Sequence, residues 1–427
     1  MLDGAASRTP RRLSAALTRP VSGGTVRLVS SLTIREAGQP VRIPWRRIGA
    51  ARPFLVPLAS VLVAAALLGA GPRLLLVVAL PVLVMGALAH RLPRSADAAL
   101  ASLLGVLALG AGLISRTDLL VVAGLLYLLA GVTRGWGVNR GRRRSRAWTN
   151  RVLTAIGAMF VALLFVYPTL LTVDFLAKPR DPIDQAALGL PHERVTFPAS
   201  DGVRLSGWYV PSRNGSAVVL VHGGGGDRQG TIRHARMMAG AGYGVLMYDA
   251  RGRGESAGHE NAAGWEWDRD VRGAVSYLTA RGIHRVGLLG LSTGAEAAVT
   301  EAASDPRVKA VVADGLQGRT ASDASHLTLG NRISIEPSFA VVGAEIKLAR
   351  GEKEPKPLLT LVREVADTRP LLVIGTVSFE REFDRAYTRG TSAQLWELPR
   401  SEHTKGLEDH PSQYRKRVLA IFRLAHL

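Results

Sequence analysis

Cysteine is missing from all 427 residues of this chain. Its absence excludes disulfide staples, a thiol nucleophile, thioether-linked haem and thiolate zinc sites. It leaves the compartment open, because a chain of this size buries enough surface to be stable without covalent staples. Aromatic residues are sparse at 6% and charged residues stand at 21%, against 47% hydrophobic. That apolar content excludes a disordered chain. The 46 glycines and 22 prolines follow no triplet period, which excludes collagen.

Acidic residues are scarce too, but only in one half. Residues 1–173 hold 21 of the 54 Lys and Arg and 4 of the 34 acids, a net of +17. Residues 174–427 hold 33 and 30, a net of +3. A formal charge of +20 invites a nucleic-acid reading, but the basic segments lack interleaved stacking aromatics, so no nucleic-acid partner is expected. The charge instead flanks five apolar runs, at 54–70, 74–90, 98–115, 119–133 and 152–173. A bilayer core takes roughly 20 apolar residues in a helix, with a lower limit of about 17. None of the runs carries an interior charge, and none has the one-sided stripe of a soluble helix. They are therefore expected to be membrane helices, about five spans across residues 54–173.

Orientation follows from the connecting segments. Residues 1–52 carry ten Arg against Asp3 and Glu36, and residues 134–151 carry seven Arg and no acid. An excess of Arg stays cytoplasmic. The expectation is a multi-pass cell-membrane protein with both basic segments inside and everything after Val173 outside. Residues 1–53 read as a basic, poorly ordered cytoplasmic N-terminus. Their Arg-rich composition also resembles an organellar transit peptide, whereas no apolar segment near Met1 marks a cleavable signal. Pro179 and Pro182 mark 174–193 as a linker.

Beyond the linker the pattern alternates. Short apolar runs at 203–210, 217–221, 244–248, 286–289, 309–313, 370–374 and 394–398 read as strands. Segments of helical length fall at 231–241, 265–279, 293–303, 380–388 and 411–426. Apolar strands separated by helices predict an α/β fold, a doubly wound and mostly parallel sheet covered on both faces. Sites in such sheets form past the carboxyl ends of the strands.

Four strand ends carry chemistry. Gly290-Leu291-Ser292-Thr293-Gly294 is a G-x-S-x-G sequence between a strand and a helix. A serine on so sharp a turn stands clear of the sheet, beside a helix N-terminus that favours negative charge. His222-Gly223-Gly224-Gly225-Gly226 lets backbone approach a substrate closely. An oxyanion needs two preset N–H donors, and the amides of Gly224 and Thr293 are the candidates. His222 reads as a residue that shapes this loop, and Asp249 and Arg251 as the braces of a structural turn. His403, in the loop past the last strand, is placed to take the proton that a weak hydroxyl nucleophile must lose.

With these motifs in order, residues 194–427 resemble the α/β-hydrolase fold serine hydrolases. The resemblance implies an eight-stranded sheet, a Ser-acid-His triad and a cap between strands six and seven, at about 316–368. It also implies an acid after strand seven, where the usual spacing lands on Ser378 and not on a carboxylate. Glu380 reaches back from two residues on, Glu382 lies further, and Asp314 occupies the alternative place after strand six. A triad with no acid is the fourth reading, and it would predict a slow or dead enzyme. The expected activity is cleavage of an ester or thioester by Ser292 and His403, with no metal or organic cofactor and an acyl or lipid-like substrate. An acyltransferase, a peptidase and a degenerate membrane scaffold stand as rivals.

Overall fold

The structure, a computed structural model, describes residues 31–36, 39–44, 168, 171, 172, 176, 180–259 and 263–427. The chain divides into two compact units, residues 1–55 and 56–427. In the first, β1 (Ser31–Glu36) pairs antiparallel with β2 (Gln39–Pro44), with Leu32 opposite Ile43 and Ile34 opposite Val41. This hairpin lies within residues 1–53, the segment expected to be a basic, poorly ordered N-terminus. The Arg-rich composition of the whole segment hid a period-two alternation of four apolar residues, which is the signal of a strand pair. The five apolar runs lie outside the described residues, apart from Pro168, Leu171 and Thr172. Among the described residues, no helix is long and apolar enough to cross a membrane.

The second unit contains a sheet of eight strands in the order β10-β9-β8-β7-β5-β6-β4-β3. They are β3 (Glu193–Pro198), β4 (Arg204–Val210), β5 (Ser216–Val221), β6 (Gly244–Tyr248), β7 (Arg285–Leu291), β8 (Val308–Asp314), β9 (Leu371–Gly375) and β10 (Gln394–Glu397). Along the sheet from β6 to β10 every pairing is parallel, and the antiparallel pairings are β3 with β4 and β4 with β6. β3 was not expected as a strand. It is an edge strand that buries only Val195 and Phe197 among polar residues, so it has no continuous apolar run to reveal it.

β5 shows why the sheet needs two covers. Ala217, Val219 and Val221 enter one core, and Val218 and Leu220 enter the other. The first core is closed by α2 (Trp267–Ala280), α3 (Thr293–Ser304), α6 (Leu358–Ala366) and α7 (Ser378–Thr388). The second is closed by α1 (Ile232–Gly240) and α9 (Pro411–Leu424), joined to β10 through the short α8 (Gly406–Asp409). Between β8 and β9 lie α4 (Ala321–Ala324), α5 (Leu329–Arg350) and α6. Leu358, Leu361, Val362 and Val365 of α6 belong to the first core. Ala324 of α4 belongs to it too, and Ile335 and Phe339 of α5 pack against it.

Candidate active site

β7 ends at Leu291 and α3 begins at Thr293, so Ser292 alone makes the turn. Its φ of 52° and ψ of −125° lie in a region that side-chain-bearing residues rarely adopt. The flanking glycines make this turn feasible. A Cβ on Gly290 would sit 2.2 Å from the carbonyl oxygen of Gly294, and one on Gly294 would sit 2.3 Å from that of Val221. The Ser292 amide donates to the Asp314 carbonyl at 2.8 Å, tying the end of β7 to the end of β8. Thr293 is the first residue of α3, where an amide has no partner within its own helix.

The loop after β5 lies directly against the serine, since a Cβ on Gly223 would be 3.4 Å from Ser292 Cβ. His222 holds that loop from below. Its Nε2 accepts from the Ala250 amide at 3.0 Å, so Nδ1 carries the proton and donates to the Gly223 carbonyl at 2.8 Å. Burial lowers its pKa, which keeps the ring neutral and fixes this tautomer. The Arg253 guanidinium donates to the carbonyls of Gly226 and Gly225 at 3.0 and 3.2 Å. Asp249 accepts from Arg228 at 2.8 and 3.1 Å and from the Glu255 amide at 2.8 Å. These residues form the wall of the site and brace the glycine loop.

His403, half-buried past β10, hydrogen-bonds through Nδ1 to Oε1 of Glu380. Glu380 is fully buried in the first turn of α7. Its Oε2 accepts from the Thr376 hydroxyl at 2.7 Å, the Thr376 amide at 3.2 Å and the Val377 amide at 3.3 Å, while Gln317 donates to Oε1 at 3.2 Å. Burial pushes the Glu380 carboxyl up, but the hydrogen bonds from His403 and Thr376 outweigh it and hold the pKa below the usual value. Glu380 is therefore the acid that faces the imidazole. Asp314 is occupied elsewhere: its Oδ2 accepts from the Tyr414 hydroxyl at 2.7 Å, and burial pushes its pKa up to about 7. Glu382 turns to the cap, accepting from the Thr328 amide and the Asn331 side chain.

Ser292 and His403 each border the turn that follows β8. The Asp314 carbonyl binds the serine amide, and the next residue, Gly315, has a φ of 74°. A Cβ there would lie 2.8 Å from His403 Cε1, so the imidazole covers a backbone that only glycine leaves open. With Nδ1 on the carboxylate, Nε2 is the nitrogen available for proton transfer. Sequence reasoning did not single out Thr376 or Gln317. Thr376 had a signal, the place immediately after β9, whereas Gln317 had none. Among the described residues, no group of His, Asp and Glu side chains could hold a metal ion.

Residues 212–320 match the family described as Serine aminopeptidase, S33. The uncharacterized protein Rv2307c of Mycobacterium tuberculosis is 30% identical over 200 residues, covering 43% of this chain and 70% of its own. The uncharacterized protein YfhR of Escherichia coli K12 is 27% identical over 159 residues, covering 35% of this chain and 55% of its own. Among solved structures, the esterase Pf2001 of Pyrococcus furiosus aligns with a TM-score of 0.46 at 21% identity, covering 57% of this chain and 96% of that one. By its overlap with the mycobacterial protein and its eight-stranded, mostly parallel sheet, the chain belongs to that protein's family and carries an α/β-hydrolase domain in its C-terminal half.

Proposed function

We propose that the hydrolase domain is a serine hydrolase that cleaves a carboxylic ester or thioester through an acyl-enzyme on Ser292, and that the preceding apolar runs anchor it in the cell membrane with the domain outside. One observation supports the chemical reading: Ser292 stands on a strained turn tied to the end of β8, and the next residue of β8's turn, Gly315, packs against His403, whose Nδ1 is held by the buried Glu380.

In this mechanism His403 Nε2 takes the hydroxyl proton as the Ser292 oxygen attacks the acyl carbon. The amides of Gly224 and Thr293 hold the oxyanion, and the ionised Glu380 stabilises the imidazolium. Collapse expels the alcohol or thiol, which leaves with the proton from His403. Water, deprotonated by the same nitrogen, then attacks the acyl-enzyme, and the carboxylic acid departs as Ser292 recovers its proton. Nothing in this sequence draws on a cofactor.

The match over 212–320 to a family described as serine aminopeptidases favours a second reading, in which the leaving group is an amine. A fluorophosphonate probe on the full chain tests the first step: wild type is labelled, and Ser292→Ala is not. Turnover of p-nitrophenyl esters against amino-acid p-nitroanilides then separates esterase from peptidase. Equal labelling of both proteins removes Ser292 as nucleophile. Protease applied to spheroplasts should digest the hydrolase domain, and full protection would reverse its side.

A further inference from the structure

The segment that leads from β8 to α4 is clamped on both sides of Gln317. A Cβ on Gly315 would sit 2.8 Å from His403 Cε1 and 2.8 Å from Thr404 Cγ2. A Cβ on Gly318 would sit 2.7 Å from Phe383 Cε1 of α7 and 2.8 Å from Phe339 Cε2 of α5. Beyond these, Thr320 and Asp323 form the capping box that opens α4. Between the two glycines, the Gln317 backbone amide donates to the carboxyl of Glu296, in the first turn of the helix that follows Ser292. The half-buried Gln317 side chain turns the other way, to Glu380. Its Nε2 donates at 3.2 Å to Oε1, the same oxygen that His403 Nδ1 meets. Glu380 is held ionised and can only accept, so the end of Gln317 that faces it is the NH2 group.

We propose that Gln317 is a positioning residue of the triad, which by sharing Oε1 of Glu380 with His403 sets how strongly the carboxylate holds the protonated imidazole. The inference rests on the serine mechanism proposed above. Its argument is competition for one oxygen. The Thr376 hydroxyl and the amides of Thr376 and Val377 all donate to Oε2, so His403 meets the charge that remains on Oε1. A second donor on Oε1 draws on the same lone pairs and sets the positive end of an amide dipole near the ring. Both effects disfavour the imidazolium. Other titratable groups face the pair from neighbouring elements. Asp314 ends β8 and binds Tyr414 of α9, and Asp384 lies one turn along α7 with Glu397 of β10 near it. Burial pushes both aspartates up. Glu296, with Arg319 and Asp323 near it, lies on the backbone side of Gln317. A substitution at 317 replaces none of these groups.

Two variants of similar length change the donor in opposite senses. Gln317→Met removes it, and Gln317→Lys turns it into a cation. The readout is the acid limb of the pH profile of kcat/KM for p-nitrophenyl acetate, with the full chain in detergent. Gln317→Met should move that limb up by about half a pH unit, part of what a hydrogen bond to a charged group is worth. Gln317→Lys should move it down by about one unit, as a like charge beside the imidazolium does. A side chain that merely packs the segment would change melting temperature or KM without opposite shifts, so limbs that stay in place in both folded variants would overturn the proposal. The pair is repeated in an Asp314→Asn background, where the same opposite shifts should appear. Shifts that vanish there would assign the limb to Asp314 and also overturn it. Fluorophosphonate labelling separates the two levels of the argument. Equal labelling of wild type and Ser292→Ala removes the serine mechanism and this role together, whereas labelling confined to wild type with unmoved limbs removes the role of Gln317 alone.

Discussion

The assignment of Glu380 is the sharpest point at which the proposed chemistry can fail. Consider Glu380→Gln. Three donors converge on Oε2, namely the Thr376 hydroxyl and the amides of Thr376 and Val377. The amide oxygen of the glutamine settles there, and its NH2 group then faces His403 Nδ1. Two donors would oppose each other unless the imidazole moves its proton to Nε2, and in that tautomer it cannot accept from Ser292. A carboxylate-to-amide change of this kind costs about ten-thousand-fold in kcat, or roughly 5.5 kcal/mol of transition-state stabilisation. KM should change little, because the acid does not touch the substrate. Asp314→Asn is the matched control. Its carboxyl is bound to Tyr414, and its loss should lower kcat by less than about tenfold. The assay is p-nitrophenyl acetate hydrolysis by the full chain in detergent, with intact protein verified by circular dichroism. Near-normal turnover in Glu380→Gln alongside collapse in Asp314→Asn would refute the assignment and return the acid to the end of β8.

Three further outcomes follow from the packing and charge. Asp249→Ala removes one of the two carboxylates paired with Arg228, whose side chain is 1% exposed, and leaves Glu255 as the other. It should destabilise the domain by about 1–3 kcal/mol in urea unfolding, the cost of buried donors left without their acceptor. Gly290→Ala forces a Cβ to within 2.2 Å of the Gly294 carbonyl oxygen. The backbone there cannot yield, so the variant should lose both thermal stability and fluorophosphonate labelling; full retention of either would contradict the close approach at the turn. Burial pushes the Glu296 carboxyl from 4.5 up to about 8, only partly offset by the nearby Arg319 cation. The folded state therefore holds a proton that the unfolded state releases, and stability falls as pH rises from about 4.5 to 8. Glu296→Gln should flatten this slope and gain on the order of a few kcal/mol above pH 8; identical melting profiles across that range would exclude the buried acid as its source.

What the sequence disclosed depended on how local each signal was. Strands buried on both faces, such as 216–221 and 244–248, are continuous apolar runs, and their placement needed no tertiary information. β3 and the β1–β2 hairpin were missed for the opposite reason. Their apolar residues alternate with polar ones, and composition averaged over the surrounding segment hides a period of two. Helices α4, α5 and α6 fall within 316–368, the stretch expected for a cap, but the contacts of Ala324, Leu361 and Val365 with the first core could be read only from the structure.

The acid shows why a motif offset is weaker than the geometry it abbreviates. By spacing, the expected carboxylate position is Ser378, and Glu380 is two residues late. Those two residues place it in the first turn of α7, where Val377 is the helix N-cap and Glu380 stands three positions beyond. A glutamate there reaches back to the N-cap amide, which is half of a capping box. Its second oxygen is then free to meet His403. Burial pushes its pKa up, but the hydrogen bonds from His403 and from the Thr376 hydroxyl outweigh that and hold it below the usual value, with the Thr376 amide adding to them. The displacement from loop to helix lengthens the reach by one methylene and anchors the acid by one of its oxygens. In the proposed mechanism this shift keeps the acid at His403, and Thr376, whose hydroxyl and amide both hold the anchored oxygen, is the residue that orients it.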